Sequence, residues 1–156
     1  MRAPDPATVI DRLRSATRDL VALTGSASAE RLQKAPEQGQ WPAAMVLAHL
    51  ADAELVYSVR VRMVLTGDRP YLAPYDEQRW VTRFAELETD PKQCTSRWRA
   101  LRDANLRLFV SLDDAEWKLT GLHGERGEQS VLQLATSVAN HDREHLDQIR
   151  KALSRA

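Results

Sequence analysis

Apolar residues recur at every third or fourth position through most of this chain, and strict two-residue alternation is nowhere sustained. Ile10, Leu13, Leu20 and Val21 mark the first stripe, which predicts a helix over about Ala7–Thr24 that stops at Gly25. A short helical piece, Ala29–Lys34, follows. A second long helix is expected from Pro42, whose fixed φ suits a first helical turn, to Thr66, just before Gly67. Trp98, Leu101, Asn105, Leu108 and Leu112 place Ser96–Leu112 within a third helix that starts near Pro91. The fourth runs from Ser130, an N-cap residue type, to Leu153. Proline and glycine fall at the boundaries of these stretches or between them. The pattern predicts an all-α four-helix bundle, as a single domain over residues 1–156.

The connections are unequal. Residues 67–90, including "GDRPYLAPYDEQRW", separate helices two and three, far more than an up-and-down turn requires. A long crossover is therefore expected there, and its aromatic and proline content makes it a candidate lid over one end of the bundle.

The faces of the helices narrow the chemistry. With His141 at zero on the last helix, His145 falls at about 40°, Gln148 at about −20°, and Leu134 and Ala152 at about 20°. Arg143, Asp147 and Arg150 fall on the far side. On the second helix His49 shares its face with Ala53 and Val56, and Glu54, Ser58 and Arg62 lie opposite. Three of the four histidines thus face the interior from two helices. Buried imidazoles need partners, and metal coordination, Gln148 or a buried water each supply one. Three imidazoles without a thiolate suit Zn²⁺, Ni²⁺, Fe²⁺ or Cu²⁺. Three ligands also leave coordination positions open, unlike a closed structural zinc site, so a bound water or substrate atom becomes more acidic there.

Composition removes several classes of function. Lys+Arg and Asp+Glu are both 22, so no uncompensated basic charge is available for nucleic acid. Charged residues interrupt the first twenty positions, and no apolar run approaches a membrane span. The single Cys94 forms no internal disulfide. A soluble cytoplasmic protein is expected.

"WPAAMVLAHLADAE" from Trp41 to Glu54, "GLHGERGEQS" before the last helix and "HDREHLDQI" from His141 to Ile149 together resemble the DinB-like (DinB/YfiT) family. The resemblance spans nearly the whole chain and implies an up-down-down-up bundle. It also implies a divalent metal held by His49, His141 and His145. Pro42 departs from the serine or threonine cap more usual in the family and leaves those positions intact. The family includes bacillithiol- or mycothiol-dependent transferases and a mycothiol-dependent isomerase, so a low-molecular-weight thiol cosubstrate and a homodimer are implied for this chain. The expected function is a metal-dependent enzyme acting on a small molecule, transferring such a thiol to an electrophile. A metal-dependent hydrolase using activated water, and a non-catalytic metal-binding or stress-linked interaction protein, are the alternatives.

The remaining candidates each have two readings. Asp52, one turn after His49, either orients a ligand or takes a proton, or else forms an ordinary ion pair. Arg60, about three turns beyond His49 and near its face, either meets an anionic substrate group at the bundle mouth or pairs at the helix end. Gln148 is placed to bond a histidine or a bound water. Cys94 stands in a first helical turn, where thiol pKa falls, but its register with Trp98 and Leu101 reads as core. His123 in its glycine-rich loop is a substrate contact or a surface residue. Tyr71, Tyr75 and Trp80, in the crossover, are the aromatic candidates for substrate contact.

Overall fold

The computed structural model describes residues 4–84 and 90–155; residues 85–89 of the expected crossover lie outside them. Among the described residues the long helices are α1 (Pro6–Gly25), α3 (Ala43–Thr66), α5 (Pro91–Ser111) and α6 (Val131–Arg155). Short helices α2 (Ala29–Gln33) and α4 (Glu77–Phe84) stand between them. Local chemistry sets the ends. Asp5 caps α1 by accepting from the Thr8 N–H at 2.8 Å, ahead of Pro6. Asp90 does the same for α5 through the Lys92 N–H at 2.9 Å. At α6 the Ser130 hydroxyl accepts from the Gln133 N–H while Gln133 Oε1 accepts from the Ser130 N–H, a reciprocal capping box. Pro42 is the residue before α3 and supplies no side-chain cap.

Cross-helix pairs fix the directions. Arg12 donates to Asn140, and farther along both helices Arg150 reaches Asp19, so α1 and α6 run parallel. Arg97 meets Asp52, Arg102 meets Glu54 and Ser58 meets Asn105, so α3 and α5 run parallel. His49 near the start of α3 meets His145 well along α6, while Val64 near the end of α3 packs in one cluster with Val131 and Leu134 at the start of α6. Those two helices oppose each other. The order is up-down-down-up, with α3 beside α5 and α6, and α1 beside the same pair.

The core has two apolar halves. Leu20, Leu47, Leu50, Cys94, Trp98 and Ile149 fill one, and Leu13, Val61, Val64, Phe109, Trp117 and Leu134 the other. Between them lies a polar layer of His49, Glu54, Arg102, Asn105 and Asp142, all buried. The face of α3 that carries Glu54 and Ser58 therefore packs on α5 and does not meet solvent, because Arg102 and Asn105 of α5 supply its partners.

A small sheet accompanies the helices. Strands β1 (Tyr71–Leu72), β2 (Thr120–His123) and β3 (Gly127–Ser130) lie in that order, β1 parallel to β2 and β2 antiparallel to β3. Segments this short carry no legible alternation. Gly121 lets β2 sit on α3, since a Cβ there would meet Val64 Cγ2 at 2.9 Å. From β1 the crossover turns back along α3: Ala73 C=O accepts from Arg60, and Glu77 arrives beside His49. Between Ala73 and Glu77 the crossover thus lies along a flank of the bundle. No helix among the described residues is long and apolar enough to cross a membrane.

Candidate metal centre

His49 projects from the most apolar helix of the chain and is 2 % exposed. Its Nε2 lies 2.9 Å from His141 Nε2 and 3.1 Å from His145 Nε2. The four-residue spacing of His141 and His145 sets their rings edge to face along one side of α6, with centroids 4.3 Å apart. Gln148, one turn farther, accepts from His145 Nδ1–H at 2.8 Å, which in the neutral ring puts the lone pair on Nε2. Trp41 closes the apolar side, its ring centroid 5.7 Å from that of His49.

Electrostatics keep His49 and His141 neutral. Burial, and then the charge of His145, lowers the His49 pKa to about 4. Burial, the neighbouring histidines, Arg102 and Arg126 lower that of His141 to about 3. Neutral imidazoles are ligands and protonated ones are not. A single proton on His49 Nε2 can serve only one of its two neighbours, so lone pairs are left facing each other. Nitrogens bound to one first-row ion at about 2.0–2.1 Å sit roughly 3 Å apart, the spacing of His49 Nε2 from the other two, and all three ligand atoms lie within 4.8 Å of one another. The three residues fit a metal ion.

The structure brings the three histidines together with Gln148 and distributes the other candidates. Asp52 accepts from Arg97 at 3.1 Å, tying α3 to α5. Arg60 is buried and donates to Ala73 C=O of the crossover, beside Tyr57 and Tyr75. Trp80 packs edge-on against Tyr75 and Phe84. Tyr71 is exposed and lies over the Gly124 turn. His123 is not a surface loop residue: it is buried in β2, where Nδ1 accepts from the Glu125 and Arg126 N–H groups. Cys94 is core, 4 % exposed.

One neighbour had no sequence signal beyond its place in the crossover. Glu77, in the first turn of α4, puts Oε2 3.9 Å from His49 Nε2 with its carboxylate half exposed. No helical periodicity links residue 77 to residue 49; the return path of the chain does. Arg126, whose charge acts on His141, was equally hidden in a turn.

The sequence model of the DinB superfamily matches residues 12–149. This chain belongs to the DinB superfamily. A Geobacillus thermodenitrificans relative named "Putative metal-dependent hydrolase" is 33 % identical over 151 residues, covering 95 % of this chain and 84 % of its own length. An Oceanobacillus iheyensis relative of the same name is 24 % identical over 163 aligned positions, 99 % of this chain and 92 % of that one. Among solved structures, YfiT from Bacillus subtilis, described as "a probable metal-dependent hydrolase with an unusual four-helix bundle topology", superposes with a TM-score of 0.86 at 20 % identity, covering 99 % of this chain and 89 % of YfiT. A mycothiol-dependent maleylpyruvate isomerase gives 0.74 at 12 % identity, covering 94 % of this chain and 61 % of the isomerase. At such identities both share the fold.

Proposed function

We propose that His49, His141 and His145 hold one divalent metal ion, and that the chain, as one domain, is an enzyme acting with it on a small molecule. The observation that carries this reading is the convergence of three Nε2 atoms from two helices, with Gln148 fixing the tautomer of one. Zn²⁺, Ni²⁺ and Fe²⁺ suit the donors. Such an ion supplies Lewis acidity that lowers the pKa of water or a thiol at the positions three ligands leave open.

The chain's own groups bear on which nucleophile the ion would activate. Glu77 is placed to accept a proton from a nucleophile arriving beside His49, and Trp41 shields the other side of that ring. A thiol, with an ordinary pKa of about 8.5, needs little more than a nearby cation to ionise at neutral pH. Water starts far higher and gains more from a carboxylate acceptor. Glu77 therefore favours hydrolysis, which agrees with the names of the relatives, over the thiol transfer expected first.

Thiol transfer is the second reading. Cys94 lies within the core, so any sulfur nucleophile has to enter as a small molecule. The setting we propose is a cytoplasmic homodimer; Leu55, Val59 and Met63 form an exposed apolar stripe along α3 that supports self-association.

The test uses the metal-loaded protein against ester and amide substrates, and against haloarenes or epoxides with added thiols. Hydrolysis should require metal and fall by about 10²–10⁴ in Glu77→Gln at unchanged metal content. A rate that instead requires thiol and is indifferent to Glu77→Gln would replace the hydrolase with the transferase.

A further inference from the structure

A second polar cluster lies between the histidines and the small sheet, and metal binding makes no use of it. Arg60 is 5 % exposed, yet it forms no ion pair with a carboxylate among the described residues. Its Nη2 donates to Ala73 C=O at 2.6 Å, and its guanidinium carbon lies 5.6 Å from the Tyr57 ring centroid and 5.8 Å from that of Tyr75. Most of its N–H donors are left over. Arg126, on the turn between β2 and β3, brings a second guanidinium, with Nη1 3.3 Å from the Tyr57 hydroxyl. The Tyr75 hydroxyl is buried without a hydrogen-bond partner.

Two acids act on the pair, Glu77 on both arginines and Glu125 on Arg126, and neither forms an ion pair with them. His123 completes the surroundings, its pKa lowered by burial and then by the charges of both arginines. Burial lowers the Arg60 pKa, an effect the two tyrosines and Glu77 oppose. A largely buried cation whose remaining donors are not taken up by the chain is open to a partner that completes it. The partner fitted to two guanidinium groups and two hydroxyls is a planar oxyanion.

We propose that Arg60, Arg126, Tyr57 and Tyr75 seat a carboxylate of the substrate, whose reacting group lies at the three histidines. Only the second half of that statement rests on the metal reading. Glu77 is common to both ends: its Oε2 lies 3.9 Å from His49 Nε2, and its charge acts on both arginines. Tyr57 follows His49 by about two turns, roughly 12 Å along the axis of α3. The substrate class is thus an organic acid with its ester, amide or other electrophilic centre several bonds from the carboxylate.

The probes are the monohydroxamates of succinic, glutaric, adipic and suberic acids, each against the ω-amide of equal length, titrated into cobalt-loaded protein and read from the cobalt absorption bands. At the best length the acid should bind about ten-fold or more tightly than the amide, the scale of one charge-assisted hydrogen bond. Arg126→Gln, on an exposed turn, should remove most of that preference without changing metal content. Arg60→Gln should do the same, and Tyr75→Phe should do so in part. Equal binding of acid and amide would overturn the carboxylate seat and leave the metal reading intact. So would a preference that survives in both arginine variants. If no hydroxamate moves the bands, the open metal site fails, and the seat is judged alone by phenylglyoxal labelling of Arg126, mapped by mass spectrometry. Protection by adipate and not by adipamide upholds it; equal labelling overturns it.

Discussion

Two polar clusters share the layer that divides the apolar halves of this bundle, and they are finished differently. Arg102, with no exposed surface, donates to both oxygens of Glu54 and both oxygens of Asp142. Asn105 adds a bond to Glu54, and Ser58 and Arg62 bond to Asn105. Burial opposes the charge of Arg102, but Asp142 and Glu54 outweigh it and hold its pKa above the ordinary value. Burial also pushes the Asp142 carboxyl up, against the pull of Arg102. Each charged group in this cluster is answered by another part of the chain. At the histidines, among the described residues, Gln148 answers one ring nitrogen, and three Nε2 atoms turn toward each other. A saturated cluster sets the register of α3, α5 and α6. On the reading proposed above, nitrogens aimed at one point await an ion that the chain does not itself supply.

The largest effect expected from breaking the first cluster is on stability. Arg102→Met strands two carboxylates in the core and should cost about 3–5 kcal/mol, measured by urea unfolding of the metal-free protein. The second cluster should respond in affinity. Gln148→Leu releases the His145 tautomer and should weaken metal binding about 10–100-fold, read by competition with a chelating dye, at nearly unchanged unfolding midpoint. Cys94→Ala, in the apolar half beside Trp98, should cost only about 1 kcal/mol and leave metal binding unchanged, because the thiol serves as packing. Smallest of all, chelation should leave the far-UV helical signal in place, since helix packing rests on the two apolar clusters. Loss of that signal would make the histidine cluster structural, like its neighbour, and erase the contrast.

The contrast also explains what could be read from the sequence. The long helices and the three histidines follow from periodicity, because a repeat of about 3.6 residues assigns each position to a face. The same rule misjudged Glu54 and Ser58: it identifies the face opposite an apolar stripe, but it does not say that a third helix bearing Arg102 and Asn105 will cover that face. Asp142 was masked by its neighbour His141. The sheet and Glu77 were beyond reach for another reason. Their positions depend on a crossover that pairs β1 with β2 and returns along α3, a tertiary event with no local repeat. The placement of His123 failed likewise, since glycines 121 and 124 mark close approach to Val64 and Tyr71 as much as a loop.

The central claim is that the histidine cluster is a single ligand set spanning two helices. Metal content per chain, measured by plasma mass spectrometry after gentle purification, tests it most directly in the native protein and in His49→Ala, His141→Ala and His145→Ala. One divalent ion per chain in the native protein and none in each variant is the expected result. Full occupancy retained in His49→Ala, or no metal in the native protein after reloading with Zn²⁺, Ni²⁺ or Fe²⁺, would contradict it.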